Sequence, residues 1–371
     1  MKRSFIREIL EATDSNTISF AGGLPNHDLF PIEELSQCAS NVLAQKTTWQ
    51  YSTSNGLPSL RRAIANLYNQ EGFETSEENI LITTGSQQAL YILARYYQNS
   101  PIIIEAPSYL GATNSFRLNN LTMHPLPLRD DGIDAEQFKQ ASHKTKLSYL
   151  IPDYQNPSTT TYSETKRQAI AKIVEQEGVV LIEDSPYSDI YFEKKYRPIS
   201  SYIPNRSFHL GSFSKSLAPS LRIGWIRANT KLLDELLPIK ESIDLHSCGL
   251  SQAILSEYLH DTRNYQTHLQ KLQRNYRNKM NTFCNLLDTH LPQLQYARPQ
   301  GGMFVYGHLE GVDIYDLLKK CMRANVLFVP ADEFFIDDRQ SGAMRLNFTN
   351  TTPQEMAKGI EVIARSIDKL K

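Results

Sequence analysis

The run Ile80-Leu81-Ile82-Thr83-Thr84 leads through Gly85 into a segment with helical periodicity, and this junction decides the predicted fold. The run is apolar without alternation, which is typical of a strand that is buried on both faces of a sheet. After the glycine, apolar side chains recur at the spacing of one helix face. These side chains are Ala89, Leu90, Ile92, Leu93, Tyr96 and Tyr97. A strand that passes through a glycine into a helix indicates an α/β protein.

Five further apolar runs support a layered α/β domain. They are Ile102 to Ile104, Leu147 to Ile151, Val179 to Ile182, Phe208 to Leu210 and Ile223 to Ile226. Short runs of this kind alternate with longer helix-periodic segments, so helices can connect the strands and cover the sheet. We therefore expect a large α/β domain with a mostly parallel sheet over residues 46–262.

The pattern changes from about residue 262, where a smaller α+β domain is predicted. A long polar amphipathic helix runs from Tyr265 to His290. It is followed by a strand at Gly302 to Tyr306, a helix at Ile314 to Ala324, strands at Val326 to Val329 and Met344 to Phe348, and a last helix. Thr352 and Glu355 predict a capping box at the start of that helix. We expect residues 263–371 to form the small domain, and residues 1–45 to form an N-terminal helix and arm that pack against it.

The composition argues against several classes of function. A formal net charge of −1 over 371 residues gives no electrostatic reason to expect nucleic acid or an anionic membrane as a partner. The spacing of the four cysteines and nine histidines matches no metal motif. The first residues lack the apolar run of a signal peptide, and no uncharged stretch is long enough for a membrane helix. We expect a cytoplasmic protein without a bound metal.

A phosphate site is predicted where the first strand meets its helix. Gly85, Ser86 and Gln87 stand at the helix start, where free N–H groups and the positive end of the helix dipole attract anions. A phosphate can bind there, although the same residues also fit an ordinary helix cap.

Lys215, in the string Gly211-Ser212-Phe213-Ser214-Lys215, is the candidate nucleophile. Its amine must be deprotonated to form an imine with an aldehyde, so burial or a nearby cation should lower its pKa. Ser212, Ser214 and Arg222 provide donors for a phosphate, which the arginine can bind through two parallel hydrogen bonds. The alternative is a surface lysine, which leaves the two serines and the arginine without a role.

Four other candidates follow predicted strands, at the edge where parallel sheets bind ligands. Tyr109 can stack on a flat cofactor, or it can be a core tyrosine. Asn156 can donate to a phenolate-type oxygen, or it can be a turn asparagine before proline. Asp184 ends a buried strand and needs a partner such as a protonated pyridine nitrogen, unless it caps the following turn. Tyr187 can reach the hydroxyl of the same ring.

Arg345 lies between apolar neighbours in the predicted strand at Met344 to Phe348. A buried arginine needs an anionic partner. A substrate carboxylate and an internal salt bridge are both open as that partner.

Together these segments resemble the class I/II aminotransferases, which are fold-type I enzymes of pyridoxal 5′-phosphate (PLP). The order Gly-Ser-Gln, Tyr, Asn-Pro, Asp-x-x-Tyr, Ser-x-Ser-Lys, Arg and late Arg is kept over essentially the whole chain. More narrowly, the chain resembles the 2-aminoadipate/kynurenine aminotransferase branch. The matching strings are Ile6 to Leu10, Ser19 to Pro25, Gln50 to Gly56, Leu81 to Leu90, Asp244 to His246 and Pro299 to Phe304. The resemblance implies a large domain whose mostly parallel seven-stranded sheet lies between helices, plus a smaller α+β domain.

The resemblance also implies how the cofactor is held. Lys215 would form the aldimine with PLP and move the proton at the substrate α-carbon, while Asp184 keeps the pyridine nitrogen protonated. Asn156 and Tyr187 would bind the ring hydroxyl oxygen, and Tyr109 would stack on the ring. The residues implied for the phosphate are Ser86, Gln87, Ser212, Ser214 and Arg222.

The implied reaction moves the amino group of an L-amino acid to a 2-oxo acid by a ping-pong mechanism. 2-Oxoglutarate is the expected acceptor, and 2-aminoadipate, aromatic or branched-chain amino acids are the expected donors. Arg345 and Asn156 would bind the substrate α-carboxylate, and the backbone of Gly22 and Gly23 would line the pocket. The resemblance implies a homodimer in which Tyr51 reaches the phosphate of the neighbouring subunit.

Specificity is expected to depend on the N-terminal helix. In the 2-aminoadipate branch, an arginine on this helix binds the distal carboxylate of acidic substrates. Arg7 occupies that place, with Ser4 on the same helical face. We expect Arg7 to bind glutamate, 2-oxoglutarate and 2-aminoadipate and to swing away for apolar or aromatic substrates. A solvated Arg7 without this role is the alternative.

Two departures from the family pattern bear on specificity. Ser158-Thr159 stands where the family usually has Thr-Gly, and Ser185-Pro186 stands where many relatives have an acidic residue and alanine. Neither change removes a catalytic group.

Two other functions stay open on the same fold: a carbon–sulfur β-lyase, and a catalytically idle ligand-sensing domain like that of MocR-type transcription regulators.

Overall fold

The described residues of this computed structural model, 16–337 and 339–368, form a large and a small β-sheet flanked by helices. The strands are β1 (Ile18–Ser19), β2 (Ile80–Thr83), β3 (Pro101–Ala106), β4 (Thr122–Arg129), β5 (Gly132–Ile133), β6 (Leu147–Leu150), β7 (Val180–Asp184), β8 (Ser207–Ser212), β9 (Gly224–Arg227), β10 (Gln295–Tyr296), β11 (Phe304–His308), β12 (Val326–Leu327), β13 (Val329–Pro330) and β14 (Ala343–Asn347). The α-helices are α1 (Ile32–Leu43), α2 (Pro58–Gln70), α3 (Ser86–Tyr96), α4 (Leu110–Leu118), α5 (Ala135–Ser142), α6 (Glu164–Glu177), α7 (Thr230–Asp244), α8 (Gly249–Tyr258), α9 (Thr262–His290), α10 (Ile314–Arg323) and α11 (Pro353–Asp368). No helix in these two ranges is both long and apolar enough to cross a membrane.

The large sheet has eight strands in the order β2-β9-β8-β7-β6-β3-β4-β5. Strands β4, β3, β6, β7 and β8 pair in parallel, and β9 runs antiparallel to both of its neighbours. Strand β2 therefore points the same way as the parallel strands, which confirms the mostly parallel α/β sheet. The predicted seven strands become eight because Gly132–Ile133 adds a two-residue antiparallel strand beside β4.

Strand β4 has no continuous apolar run, so the sequence patterns do not reveal it. It lies near the sheet edge, is largely exposed and contains Pro125 and Pro127. Proline lacks an N–H for the ladder and is tolerated where one side of a strand has few partners. On its outer side β4 pairs only through Leu128 and Arg129.

Helices cover both faces of the large sheet. On one face, Ile182 and Leu210 pack in a core with helices α3, α4 and α7. On the other face, Ile82 and Trp225 pack in a core with α2, α8 and the start of α9. Successive side chains of a strand point to opposite faces. Asp184 therefore lies on the face of Ile182, which is the face covered by α3 and α4.

The small sheet has four antiparallel strands in the order β10-β11-β14-β13, and α9, α10 and α11 complete a separate core around it. Arg345 lies on β14, where it pairs with Tyr306 and Val329. Strand β1 pairs in parallel with β12, so residues 18–19 also contact this part of the molecule. The division into an arm (1–45), a large domain (46–262) and a small domain (263–371) stays a prediction.

The last helix begins with the predicted capping box. Glu355 N donates to Thr352 Oγ1 at 3.3 Å, and Thr352 N donates to Glu355 Oε2 at 2.7 Å. These two bonds satisfy backbone donors that the first turn of a helix leaves free.

Candidate active site

The C-terminal edge of the parallel strands carries the candidate site. Asp184 ends β7, Tyr109 caps α4 after β3, Asn156 follows β6, and Lys215 follows β8. Parallel strands end at the same edge of a sheet, so the loops that follow them meet there. Arg345 reaches this edge from the small sheet, because its guanidinium bonds to Asn156.

The amine of Lys215 lies against the chain segment that precedes the large sheet. Its Nζ donates a 2.6 Å hydrogen bond to the backbone oxygen of Gly23. The pKa of Lys215 is lowered to about 8. Burial is the largest cause, and the positive charges of Arg345 and Arg222 add to it. A large fraction of this amine is therefore neutral and nucleophilic near pH 8. Gly23 fits closely here, since a Cβ at this position would lie 3.7 Å from Nζ and 3.3 Å from the Phe304 ring.

Asp184 has one carboxylate oxygen without a partner among the described residues. The residue is 1% exposed. Its Oδ2 accepts a 2.8 Å hydrogen bond from the Tyr149 hydroxyl, whereas Oδ1 is buried and unbonded. Burial raises the pKa of Asp184 to about 7, although the Tyr149 hydrogen bond opposes this effect. A cationic N–H donor at Oδ1 would satisfy the oxygen and favour its charged form.

Asn156 connects Tyr187 to Arg345. Its Nδ2 donates to the Tyr187 hydroxyl at 3.4 Å, and its Oδ1 accepts a 2.7 Å hydrogen bond from Nη1 of Arg345. The guanidinium only donates, so it fixes which end of the amide faces it. Burial raises the pKa of Tyr187 well above its usual range, and the nearby Tyr109 contributes to the rise. The Tyr187 hydroxyl therefore stays protonated and can donate to a ligand.

Arg345 is a buried cation without a carboxylate partner in the described ranges. Its Nη2 donates to the Ala21 oxygen at 2.6 Å, and its Nε is unbonded. The ring centroids of Phe304 and Phe334 lie 4.2 and 5.0 Å from the guanidinium carbon. Burial lowers the pKa of Arg345 to about 10, which leaves it charged at neutral pH. The internal salt bridge considered from sequence does not form with any described residue, and an anionic ligand is the remaining partner.

Ser212, Ser214 and Arg222 surround the start of α3. Ser212 Oγ donates to Ser214 Oγ at 3.0 Å, and Nη1 of Arg222 lies 3.4 Å from the same Ser214 oxygen. Nη2 of Arg222 donates to the Thr84 oxygen at 3.3 Å. Gly85 permits this approach, because a Cβ on it would lie 2.5 Å from Nη2 of Arg222. Hydroxyl, guanidinium and free helix N–H donors thus converge at one place, which suits a phosphate.

The two predicted residues at the helix start are placed differently from each other. Ser86 is half-buried and is the first residue of α3. Gln87 is exposed, and its side-chain amide donates to the Gly111 oxygen and to Ser115 Oγ, each at 3.0 Å. The Gln87 side chain therefore contacts α4, and its backbone N–H is the group that belongs to the helix start.

Three predicted residues lie apart from this cluster or beyond the described ranges. The Tyr51 side chain is on the surface, 78% exposed, and its ring packs edge-on against His246 with 5.8 Å between centroids. Ser4 and Arg7 lie outside the described residues.

Sequence reasoning missed three groups that shape the site. Tyr149 lies in a predicted buried strand, and a tyrosine hydroxyl there, one strand from Asp184, is a signal that can be used. Phe304 ends the matching string Pro299 to Phe304, but the sequence pattern assigns it no role. The Ala21 oxygen is a backbone group and has no sequence signal.

The chain is similar to known proteins over nearly its whole length. The family model described as aminotransferase class I and II matches residues 15–363. The chain is 33% identical to a 2-aminoadipate transaminase of Thermus thermophilus, covering 100% of this chain and 95% of the relative. It is also 33% identical to aromatic-amino-acid aminotransferase 1 of Thermococcus litoralis, covering 99% of this chain and 92% of the relative.

A solved structure matches the fold closely. It is an α-aminoadipate aminotransferase from Thermus thermophilus, complexed with N-(5′-phosphopyridoxyl)-L-leucine. The TM-score is 0.91 and the sequence identity 32%, covering 100% of this chain and 95% of that chain.

The residues at the strand ends fit PLP. The unbonded Oδ1 of Asp184 suits a protonated pyridine nitrogen, and the amine of Lys215, with its lowered pKa, suits an aldehyde. The donors around Gly85 suit a phosphate. Since the family model covers most of the chain and two named relatives are 33% identical over nearly all of it, this chain belongs to the class I and II aminotransferases and is a PLP-dependent transaminase.

Proposed function

We propose that the protein moves the amino group of an L-amino acid to a 2-oxo acid in two half-reactions at one site. The observation that carries this proposal is that the buried Arg345 guanidinium and the Lys215 amine bond to nearby backbone oxygens, those of Ala21 and Gly23, while Arg345 lacks an anionic partner among the described residues. An amino acid would bring its α-carboxylate to the first group and its α-carbon to the second. A 2-oxo acid has the same carboxylate, so both substrates can use the site in turn, as a ping-pong mechanism requires.

In this proposal the chain would hold PLP at four points, which are the pyridine nitrogen, the ring hydroxyl, the ring face and the phosphate. When bound, PLP supplies the electron sink that makes the α-hydrogen of the amino acid acidic. Asp184 offers Oδ1 to the pyridine nitrogen, Tyr187 and Asn156 offer donors to the ring hydroxyl oxygen, and Tyr109 stacks on the ring. The phosphate receives donors from Ser212, Ser214, Arg222 and the helix start at Ser86 and Gln87.

Lys215 would take the proton from the substrate α-carbon and return it. Its pKa of about 8 leaves enough neutral amine to accept a proton, and burial is the main cause of that low value. Arg345 and Asn156 hold the carboxylate and so orient the α-hydrogen towards Lys215. The rings of Phe304 and Phe334 cover the guanidinium and strengthen its attraction for a carboxylate by excluding water.

We infer 2-oxoglutarate as the acceptor, and 2-aminoadipate, aromatic or branched-chain amino acids as donors. Two relatives are named for 2-aminoadipate and for aromatic amino acids, and the structural neighbour holds a leucine derivative. Arg7, with Ser4 beside it in sequence, would bind the distal carboxylate of the acidic substrates. The support for this role is the position of Arg7 in the matching string Ile6 to Leu10.

We also infer a homodimer in which Tyr51 completes the site of the neighbouring subunit. Tyr51 and the nearby Trp49 are 78% and 68% exposed. Ile243 and Leu245 are exposed as well, next to the His246 ring that Tyr51 contacts. Aromatic side chains are enriched at protein interfaces, and an apolar surface of this kind marks an interaction site.

The proposal is tested by titrating the holoenzyme with single amino acids in the absence of a 2-oxo acid. We expect one equivalent of 2-oxo acid per site, a change in cofactor absorbance, and recovery of the starting spectrum when 2-oxoglutarate is added. The panel of amino acids then ranks the donors. Continued release of 2-oxo acid and ammonia from a cysteine-type substrate without an acceptor would contradict the proposal and indicate the β-lyase. A spectrum that no amino acid changes would indicate the idle ligand-sensing domain.

A further inference from the structure

A cavity of about 110 Å³ lies behind the loop that carries Lys215. Its wall includes Ser185 after β7, His209 and Ser212 of β8, and Trp225 of β9. His209 and Trp225 point away from the face on which Leu210 packs against α3 and α7. The cavity thus lies behind the candidate active site, on the other face of the sheet. The two share Ser212, whereas Lys215, Asn156 and Arg345 do not line the cavity.

Two buried polar atoms on this wall have no hydrogen-bond partner among the described residues. They are Nε2 of His209 and Oγ of Ser185, and both residues are only 5% exposed. A buried polar atom without a partner costs free energy, so each of these atoms favours a molecule that can bond to it.

The hydrogen bonds around His209 determine what its Nε2 offers. Nε1 of Trp225 donates to the Tyr68 hydroxyl at 2.8 Å, and this hydroxyl lies 2.6 Å from Nδ1 of His209. Because the indole can only donate, the Tyr68 oxygen accepts from it, and the Tyr68 hydroxyl donates a hydrogen bond to Nδ1 as its acceptor. Burial, together with the charge of Arg227, lowers the pKa of His209 to about 3, so the ring is neutral. The single N–H of the neutral ring is therefore on Nε2, which presents a donor to the cavity.

The charged residues of the cavity wall already have partners. Lys195 pairs with Asp189 at 2.7 Å and also with Glu71. All three residues line the cavity and are partly exposed, so they mark its opening to solvent. Since the one ammonium is shared by two carboxylates, the opening has no unpaired cation for an anionic ligand.

The remaining walls are largely aromatic and aliphatic. These apolar parts consist of Leu67, Tyr68, Pro186, Tyr196, Pro198, Trp225 and Leu269, and the polar side chains of Gln70, Ser188, Tyr265 and Gln266 also line the cavity. A cavity of about 150 Å³ with apolar walls holds a benzene molecule, which has six non-hydrogen atoms. At about 110 Å³ this cavity encloses about four or five, and the rest of a larger molecule lies in its opening.

We propose that this cavity is a second small-molecule site, for an uncharged aromatic or aliphatic molecule that places a hydroxyl group and about four or five non-hydrogen atoms inside it. The hydroxyl oxygen accepts from Nε2 of His209, and its hydrogen is available to Ser185 Oγ. The body of the molecule fills the space between the Trp225 indole and the aliphatic side chains of α2 and α9. Anions are disfavoured by the Glu71 and Asp189 carboxylates at the opening.

The test uses phenol as the probe and the holoenzyme as the receptor. We expect calorimetry to show saturable binding of one phenol per chain, and a crystal structure with phenol to place its hydroxyl and the attached part of the ring in this cavity. Benzene, which has the same ring and no acceptor oxygen, should bind about fivefold more weakly, the ratio that one net hydrogen bond supplies. Benzoate should bind more weakly than phenol because of its charge. Water alone in the cavity at saturating phenol, or phenol only in the substrate pocket, would overturn the proposal.

Two pairs of variants separate binding in this cavity from other effects. Leu269→Phe fills the cavity from α9 without removing a polar group and should abolish phenol binding, and Leu67→Phe does the same from α2 if the first variant folds poorly. His209→Phe should remove the preference for phenol over benzene, whereas His124→Phe, at an exposed position of β4, should keep it. Unchanged phenol affinity in a folded Leu269→Phe or Leu67→Phe protein would also overturn the proposal.

Discussion

Nη1 of Arg345 lies 2.7 Å from Oδ1 of Asn156, so a guanidinium from the small sheet is held by an amide at the edge of the large sheet. The same amide bonds through its nitrogen to the Tyr187 hydroxyl. Two of the five guanidinium N–H groups are used, on Asn156 and on the Ala21 oxygen, and the Nε proton has no partner among the described residues. Arg345 is thus fixed in orientation and still has donors for a carboxylate.

Replacing Arg345 by lysine should lower kcat/KM for every amino acid substrate by about 10- to 100-fold. Lysine keeps the positive charge, but a single ammonium cannot hold Asn156, Ala21 and a substrate carboxylate in one plane. Each charge-assisted hydrogen bond that is lost is worth about 1.5–3 kcal/mol. Steady-state kinetics with glutamate and with leucine would measure the loss. Arg365→Lys, on the exposed side of α11, is the matched control. A kcat/KM within twofold of the original protein for both substrates would contradict the role of Arg345.

In the cofactor-free protein, Asp184→Asn should raise the free energy of unfolding near pH 8 and have a smaller effect near pH 5. The pKa of Asp184 is raised by burial from its ordinary 3.8 to about 7. Between these values the folded protein keeps a proton that the unfolded chain has released, so this carboxyl lowers stability as the pH rises through that window. The full effect, above about pH 7, is at most about 4 kcal/mol.

Urea unfolding of the cofactor-free variants between pH 5 and pH 8 measures this effect. Asp234→Asn, on the exposed side of α7, is the control, and its difference from the original protein should not follow the same window. A difference between Asp184→Asn and the original protein that stays constant from pH 5 to pH 8 would show that Asp184 does not titrate there.

Most of the fold can be predicted because its strands leave short-range patterns. Continuous apolar runs identify the strands that are buried on both faces, whereas β4 escapes because Pro125 and Pro127 interrupt an exposed edge segment. The positions of Asp184, Asn156 and Lys215 can be found for a similar reason, since each lies at the end of a strand or shortly after it, and the ends of parallel strands share one edge.

The partners of these residues cannot be predicted in the same way. Tyr149 reaches Asp184 because the register pairs Tyr149 with Ile182, two residues earlier on β7, and no local pattern sets that register. The Ala21 oxygen accepts a hydrogen bond from Arg345, although more than 300 residues separate the two in sequence. Only the packing of the folded chain brings them together. The cavity at His209 depends likewise on side chains from five separate segments.

Replacing Arg7 by alanine should reduce activity with glutamate and 2-aminoadipate much more than activity with leucine. A distal carboxylate gains charge-assisted hydrogen bonds from an arginine, and an apolar side chain gains none, so the expected ratio of the two losses is about tenfold or more. Measuring kcat/KM for glutamate, 2-aminoadipate and leucine in Arg7→Ala decides the point, with Arg3→Ala as the control. Equal losses for glutamate and leucine would remove the proposed role of Arg7.

Replacing Thr159 by glycine should raise the free energy of unfolding by about 1 kcal/mol. Thr159 has a φ of +62°, in the left-handed region that β-branched residues rarely adopt. Glycine relieves this strain and keeps the 2.7 Å backbone bond from residue 159 to the Gln155 oxygen, although its greater freedom in the unfolded chain offsets part of the gain. Thr159→Ala is the matched control, because alanine removes the branch and keeps the Cβ. If urea unfolding shows the Thr159→Gly protein to be no more stable than the Thr159→Ala protein, glycine does not relieve the strain at this position.

Mixing two defective variants should restore cofactor binding if Tyr51 acts on the neighbouring subunit. Lys215→Ala lacks the amine, and Tyr51→Phe lacks the exposed hydroxyl that the homodimer is inferred to direct to the neighbour's phosphate. A mixed dimer then contains one site with both changes and one site with neither. When equal amounts pair at random, about a quarter of all sites regain the Lys215 amine and the Tyr51 hydroxyl together.

The measurement is the cofactor concentration dependence of activity after the two variants are unfolded and refolded together. At the low cofactor concentrations that saturate the original protein, the mixture should reach about one quarter of the activity of the same amount of original protein, because a quarter of all sites in a random dimer mixture are intact. The same variants refolded separately and then mixed are the control and should show no such fraction. If Tyr51 instead served its own chain, no mixed dimer would contain an intact site, since Lys215→Ala lacks the amine at one and Tyr51→Phe lacks the hydroxyl at the other.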